Sequence, residues 1–156
     1  MDKGSEDGLD LEALVRLWEL RRPAPDLLPG RQHFDIPDLK PWLGWINICD
    51  VVQGPTRRYR MRLIGSQVAE IEKGNNTGRF LDEVFPPHQY PVVQADYDLA
   101  LKTKEPAMSR RMVPTSGGIP HMLTKLVLPL ASDGRHIDKF LVLLHFRLPE
   151  PGKPIS

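Results

Sequence analysis

An α+β fold, built as a five-stranded antiparallel sheet with helices on one face and an amphipathic helix ahead of it, is what the sequence predicts. Three observations point there. Tyr59, Met61 and Leu63 alternate with Arg58, Arg60 and Arg62, the period of two of a sheet with one buried face. From His88 to Lys104, Tyr90, Val93, Tyr97, Ala100 and Leu101 fall along one side of a helix. Ala107 to Val113, His121 to Leu130 and Ile137 to Arg147 then read as strands, separated by Thr-Ser-Gly-Gly and Ser-Asp-Gly turns short enough for hairpins.

The remaining elements follow in chain order. Asp10 can cap a helix whose apolar residues Leu11, Leu14, Val15 and Trp18 recur at i, i+3, i+4 and i+7, and Pro23 with Pro25 ends it. That stripe is expected to sit apart from the core, which makes Leu11, Leu14, Val15 and Trp18 the interface candidates for a second copy or a partner. A proline-rich connector runs to Gly30, and Asp35 to Leu43 predicts a turn or two of helix before Gly44. Ile46, Ile48, Val51 and Val52 predict a strand over 45–52, joined to the Tyr59 strand by the turn Gln53-Gly-Pro-Thr56. Beyond Gly65 and Ser66 the period changes. Val68, Ala69 and Ile71 suit a short helix, Gly74 to Gly78 a turn needing positive φ, and Phe80, Leu81, Val84 and Phe85 another helical turn stopped by Pro86 and Pro87. Pro91 is tolerated in the first turn of the long helix, and Pro106 closes it. The predicted organisation is a polar, disordered tail over 1–9, the N-terminal helix and connector over 10–44, one sheet domain over 45–148 and a second polar, disordered tail over 149–156.

Composition narrows the function. At 156 residues one hydrophobic core is expected. Twenty-one Lys and Arg nearly balance twenty Asp and Glu, so no long-range field holds the molecule on a nucleic acid or an anionic membrane. Cys49 is the single cysteine, and no apolar run approaches about 20 residues; together these point to a cytoplasmic protein without an intrachain disulfide.

The order of two strands, a helical block and three strands, with the residues that punctuate it, resembles the PAS superfamily of sensory domains. The local match is best at Tyr59-Arg-Met-Arg-Leu-Ile-Gly65, at Thr77-Gly-Arg-Phe-Leu-Asp-Glu-Val84 and at Leu128-Pro-Leu-Ala-Ser-Asp-Gly134. With the Trp18 helix and the Phe34-Asp-Ile-Pro segment, these look like a subgroup of short, stand-alone proteobacterial PAS proteins. The resemblance covers roughly Trp45 to Arg147 and the helix before it. It implies a sheet whose concave face is crossed by the longest helix, and a domain that holds a small molecule, or only packed side chains, between them. It also implies a sensory or regulatory role rather than an enzymatic one, with output through a signalling protein acting in trans and a homodimer as the expected assembly. No membrane partner is expected.

The cofactor stays open. The flavin-binding PAS subfamily forms its photoadduct on a cysteine within Gly-x-Asn-Cys-Arg-Phe-Leu, whereas this chain has Gly74-Asn-Asn-Thr-Gly-Arg-Phe-Leu81 without that cysteine. Haem-binding PAS domains take an axial histidine from the long helix; His88 is read instead as an exposed residue at its start. No His or Cys spacing supports a metal site. The ligand-pocket candidates are Met61, Leu63, Arg79, Tyr90, Val93, Tyr97, Met108 and Met112, with plain core packing as the alternative for the apolar ones and structural anchoring for Arg79. No nucleophile-and-base or phosphate-loop motif is present, so no catalytic residue is assigned. Two other functions remain in competition: a small cavity enzyme of isomerase or dehydratase type, and a nucleic-acid-associated regulator using Arg58, Arg60 and Arg62. Against the last, no aromatic residue shares the arginine face to stack a base.

Overall fold

The long strands of the C-terminal half carry near-continuous apolar runs, which only a sheet covered on both faces can bury. The computed structural model describes residues 5–6 and 9–149. Of the two expected tails, residues 1–4, 7–8 and 150–156 lie outside the described residues. Ser5–Glu6 (β1) and Leu9–Asp10 (β2) form a small antiparallel ladder before the first helix, Leu11–Leu20 (α1), and a single helical turn, Ile36–Leu39 (α2), lies within the connector that follows.

The main sheet contains Ile46–Val52 (β3), Arg58–Leu63 (β4), Ala107–Val113 (β5), His121–Leu130 (β6) and Lys139–Arg147 (β7) in the spatial order β4-β3-β7-β6-β5. Every pairing is antiparallel. The hairpin β3–β4 and the meander β5–β6–β7 therefore share one layer, with the first and last strands side by side at its centre. Between the two groups run Ser66–Glu72 (α3), Leu81–Val84 (α4) and the long helix Tyr90–Thr103 (α5). Gly78 supplies the positive φ of the predicted turn, at +91°, and a second left-handed residue, Lys73, ends α3.

One face of the sheet is closed by α3 to α5. Cys49, Tyr59, Met61, Val127, Phe140 and Val142 project from it to meet Leu81, Val93, Tyr97 and Ala100. Alternation sends Ile46, Ile48, Leu126, Leu128, Leu130, Leu141 and Leu143 to the other face, and there the N-terminal region packs. Leu11, Leu14 and Trp18 of α1 are buried in that second core with Leu28, Phe34, Leu39 and Trp42. Helices thus cover both faces, and α1 does not stand apart as its stripe had implied. Its interface candidates Leu11, Leu14 and Trp18 are buried within the chain itself, and Val15 is half-buried against the same cluster. The physical reason is the sheet's own outer row of leucines, which needs an apolar cover. Trp18 completes the docking by donating its indole N–H to the carbonyl of Pro129 at 2.8 Å. Asp10 caps α1 by accepting from the backbone N–H of Ala13 at 2.9 Å.

A β-bulge breaks the alternation of β4. Cys49 pairs with Met61 but Ile48 pairs with Leu63, leaving Arg62 as the extra residue. Leu63 is thereby carried to the face of Ile48, where it is 46% exposed, and Ile64 takes an inward place. Gly65 follows, where a Cβ would lie 2.4 Å from the carbonyl oxygen of Gly44, so the two backbones can meet only at a glycine. Asn47, buried on β3, locks the same corner by accepting from the Gly65 N–H at 3.0 Å. Residues 78–80 cover the outer edge of β4, with Gly78 and Met61 joined N–H to carbonyl at 2.6 Å and an antiparallel bridge between Arg60 and Phe80.

Because α1 forms part of the core, Trp18→Ala is expected to lower unfolding stability by about 3–5 kcal/mol. Urea denaturation monitored by circular dichroism measures this, and a loss below about 1 kcal/mol would contradict the docked position of α1.

Candidate ligand cavity between the sheet and the long helix

The inner face is not uniformly filled. Toward the β3–β4 side, Tyr59, Tyr97 and Phe140 form an aromatic cluster with ring centroids 5.1 to 5.9 Å apart. Toward the β5–β6 side lies a cavity of about 290 Å³, bounded by α3, α4, α5 and the sheet. Its walls are mainly apolar. Val68 of α3, Leu81 and Val84 of α4 and Val92 and Val93 of α5 face Leu123, Leu144 and Phe146 of the sheet. Polar groups reach it at few points: Asn47, Glu72, Asn76, His88, Gln89, Arg111 and Lys125. A small number of placed polar groups in an apolar enclosure is the usual character of a small-molecule site.

Of the sequence-derived candidates, Met61, Val93, Tyr97 and Met112 line this cavity. Leu63 does not, because the bulge turns it outward. Met108 is 58% exposed, since its neighbours Ala107 and Ser109 take the inward positions on β5. Tyr90 packs half-buried against the aromatic cluster rather than on the cavity wall. Arg79 is exposed and ties its turn to α4, donating to Asn76 Oδ1 at 3.2 Å and to the Glu83 carbonyl at 3.3 Å. His88 is exposed at the cavity rim, two residues before α5 begins.

The residues that give the cavity its electrostatics escaped the sequence reading. Lys125 sits on β6 with its side chain 2% exposed, and its Nζ donates to the Val93 carbonyl at 2.9 Å. Asp96 of α5 approaches the same ammonium at 3.4 Å, and the Tyr97 ring centroid lies 4.4 Å away. The Ser109 hydroxyl donates to Asp96 at 2.8 Å, and Arg111 Nη1 reaches Ser109 Oγ at 3.4 Å. The available signal was Lys125 itself, one cation inside the strand Leu123-Thr-Lys-Leu-Val-Leu. A charge in such a run must find partners inside the fold.

These ties fasten α5 to the sheet. Tyr59 donates its phenol to Asp98, and Cys49 lies beside the Tyr97 hydroxyl. Burial pushes the Cys49 thiol up to about 12, so it is held as a thiol and not as a reactive thiolate. At the position of the turn that resembles the flavin-adduct motif, Thr77 donates its hydroxyl to Asn75 at 2.5 Å. Neither position offers the nucleophile that adduct chemistry requires, so the residues present do not fit that group's photochemistry. Among the described residues, no cluster of three or more His, Cys, Asp or Glu side chains could hold a metal ion.

The arginines of the strand are each engaged by a carboxylate. Arg58 forms a two-pronged pair with Asp82 at 2.7 and 2.8 Å and lies over the Phe80 ring, while Arg60 and Arg62 converge on the buried carboxylate of Asp50 at 3.4 and 2.6 Å. With their charges engaged by carboxylates, these arginines offer a poor phosphate-binding row.

Comparison with known proteins agrees with the geometry. The fold is similar to that of a LOV protein of Rhodobacter sphaeroides, with a TM-score of 0.52 and 12% identity over 92% of this chain and 71% of that one. It is also similar to a fungal LOV domain photoreceptor, with a TM-score of 0.51 and 16% identity over 90% of this chain and 93% of the other. No family model matches the chain, and no curated protein matches it by sequence. LOV domains are a PAS subfamily, and the chain has the PAS-type α+β fold. Among the described residues, no helix is long and apolar enough to cross a membrane.

Lys125 makes the cavity's energetics measurable. Desolvation lowers its ammonium from 10.5 to about 8, and Asp96 offsets this only in part. Between those values the unfolded chain binds more protons than the folded one, so stability rises with pH. Below about 8 both states are charged and the burial penalty is fully present; it fades as pH approaches 10.5. The stability of the wild type relative to Lys125→Met should therefore increase by on the order of 3 kcal/mol from about pH 7.5 to 10.5. Denaturant titrations of both proteins across this range provide the check, and a difference that stays flat contradicts the buried position of Lys125.

Proposed function

We propose that this chain is a sensory domain that binds a small molecule in the cavity between the sheet and α5, and that occupancy is passed to a signalling protein acting in trans. The observation that carries the reading is the cavity itself, about 290 Å³ and open at its rim, beside an otherwise filled core. That volume lies at the lower end of ligand pockets, roughly 300–1,000 Å³, and fits a compact metabolite better than a large cofactor. The PAS-type fold supports a sensory role by analogy, since fold alone does not fix function. Site residues on this reading are Met61, Val93, Tyr97 and Met112, together with Arg111 and Lys125.

The route for a signal is α5. Val93 and Tyr97 border the cavity, while Asp96 and Asp98 hold the same helix to β5, β6 and β4 through Ser109, Lys125 and Tyr59. A ligand pressing on Val93 acts on a carbonyl that Lys125 already grips, so occupancy and helix position are coupled through one set of contacts. The output surface is the exposed side of α5 away from the cavity, where Leu99 is 50% exposed.

Native mass spectrometry of protein purified from its own host should show a retained small-molecule mass, and Val93→Trp, which fills the cavity, should remove it while keeping the circular dichroism spectrum. A bare chain mass, combined with no thermal shift across a metabolite collection, overturns the proposal.

A further inference from the structure

One cation on the cavity wall has no carboxylate partner among the described residues. On the β5–β6 wall stand two cations, Arg111 and Lys125. Asp96 of α5, which does not line the cavity, is engaged by Lys125 at 3.4 Å and by the Ser109 hydroxyl at 2.8 Å. Arg111 has only the Ser109 oxygen at 3.4 Å, a neutral and distant acceptor, and no carboxylate within ion-pair distance among the described residues. Arg111 is half-buried at the mainly apolar cavity wall, and its guanidinium offers a planar fork of donors. The other carboxyl on the wall, Glu72, lies toward Ser116 and His121. His121 pairs with Val113, two residues beyond Arg111 along β5, or about 7 Å at strand spacing.

From this arrangement we infer that the ligand is a small monocarboxylic acid with an apolar body, its carboxylate held by Arg111 and its body enclosed by Val68, Leu123 and Phe146. The inference rests on the ligand-binding reading of the cavity. One unmatched positive charge selects one negative charge. A phosphate monoester carries roughly 1.5 to 2 charges at neutral pH and would leave part of that charge uncompensated. A dicarboxylate would bring its second anion into the apolar walls or toward Glu72, where burial already disfavours the charged carboxyl. Carboxylate binding to a guanidinium also exploits the geometry that distinguishes arginine from lysine, two parallel N–H donors against two oxygens.

Isothermal titration of the full chain with phenylacetate and hexanoate, and with phenylacetamide and hexanamide as neutral counterparts, tests this at neutral pH. The acids should bind at least tenfold more tightly than the amides, and Arg111→Met should remove that preference by weakening the acids far more than the amides, with the thermal midpoint of the unliganded chain little changed. Arg111→Lys, which keeps the charge without the fork, should retain part of the preference. Equal affinity for acid and amide, or acid binding indifferent to Arg111→Met, overturns the inference and leaves the cavity reading in place. If no probe binds while host-purified protein retains a small-molecule mass, the monocarboxylate assignment alone falls; if no probe binds and no mass is retained, both fall.

Discussion

The pairing of β6 with β7 is the constraint on which the rest of the molecule depends. Met122–Leu130 run antiparallel to Lys139–Arg147 at the middle of the sheet, and along most of that ladder both faces are buried. Leu126, Leu128, Leu130, Leu141 and Leu143 on one side leave an apolar surface that α1 and its neighbours must cover. Val127, Phe140 and Val142 on the other require α5. Burying a Leu or Val side chain is worth roughly 1.5–3 kcal/mol, so leaving a row of this length uncovered would cost about as much as the whole net stability of a typical domain. The N-terminal region is therefore a structural layer of the domain, and the proline-rich connector serves to bring it back across the outer face.

Much of this was legible because it is local. Strand alternation, the Gly and Pro turns and the helical spacing of Val93, Tyr97 and Ala100 each follow from the backbone's own periodicities, and they place every main strand and the long helix within a few residues. What escaped depends on pairing across the sheet. The bulge at Arg62 exists only in the register of β4 against β3, so Leu63 reads as inward from β4 alone. The stripe of α1 announced that it would be buried but not against what, and a partner protein and the chain's own outer leucines are equivalent at the level of sequence. The cavity is harder still, because Val68, Val93 and Leu123 look like core residues whether or not the space between them is filled.

Lys125 shows how the two halves of the inner face are related. An ammonium carried into a strand interior loses its hydration, and the fold returns a carbonyl, a carboxylate and an aromatic face in exchange. All three come from α5: Val93, Asp96 and Tyr97. The buried cation consequently fixes the position of the helix on the sheet more sharply than apolar packing can, since dispersion contacts tolerate sliding while a buried charge does not tolerate losing its partners.

That sharpness bears on how a cavity can coexist with a stable fold. An apolar void beside a loosely held helix would collapse as the helix moved in to recover its contacts. Here α5 is held at its middle on two flanks, at Asp96 by Ser109 and Lys125 and at Asp98 by Tyr59, and the aromatic cluster of Tyr59, Tyr97 and Phe140 fills the space on one side. The helix cannot shift toward the β5–β6 side without unstacking those rings and withdrawing acceptors from a buried ammonium. Closing the cavity would therefore break ties to a buried ammonium, and those polar ties are the ones a ligand at Val93 and Tyr97 would disturb.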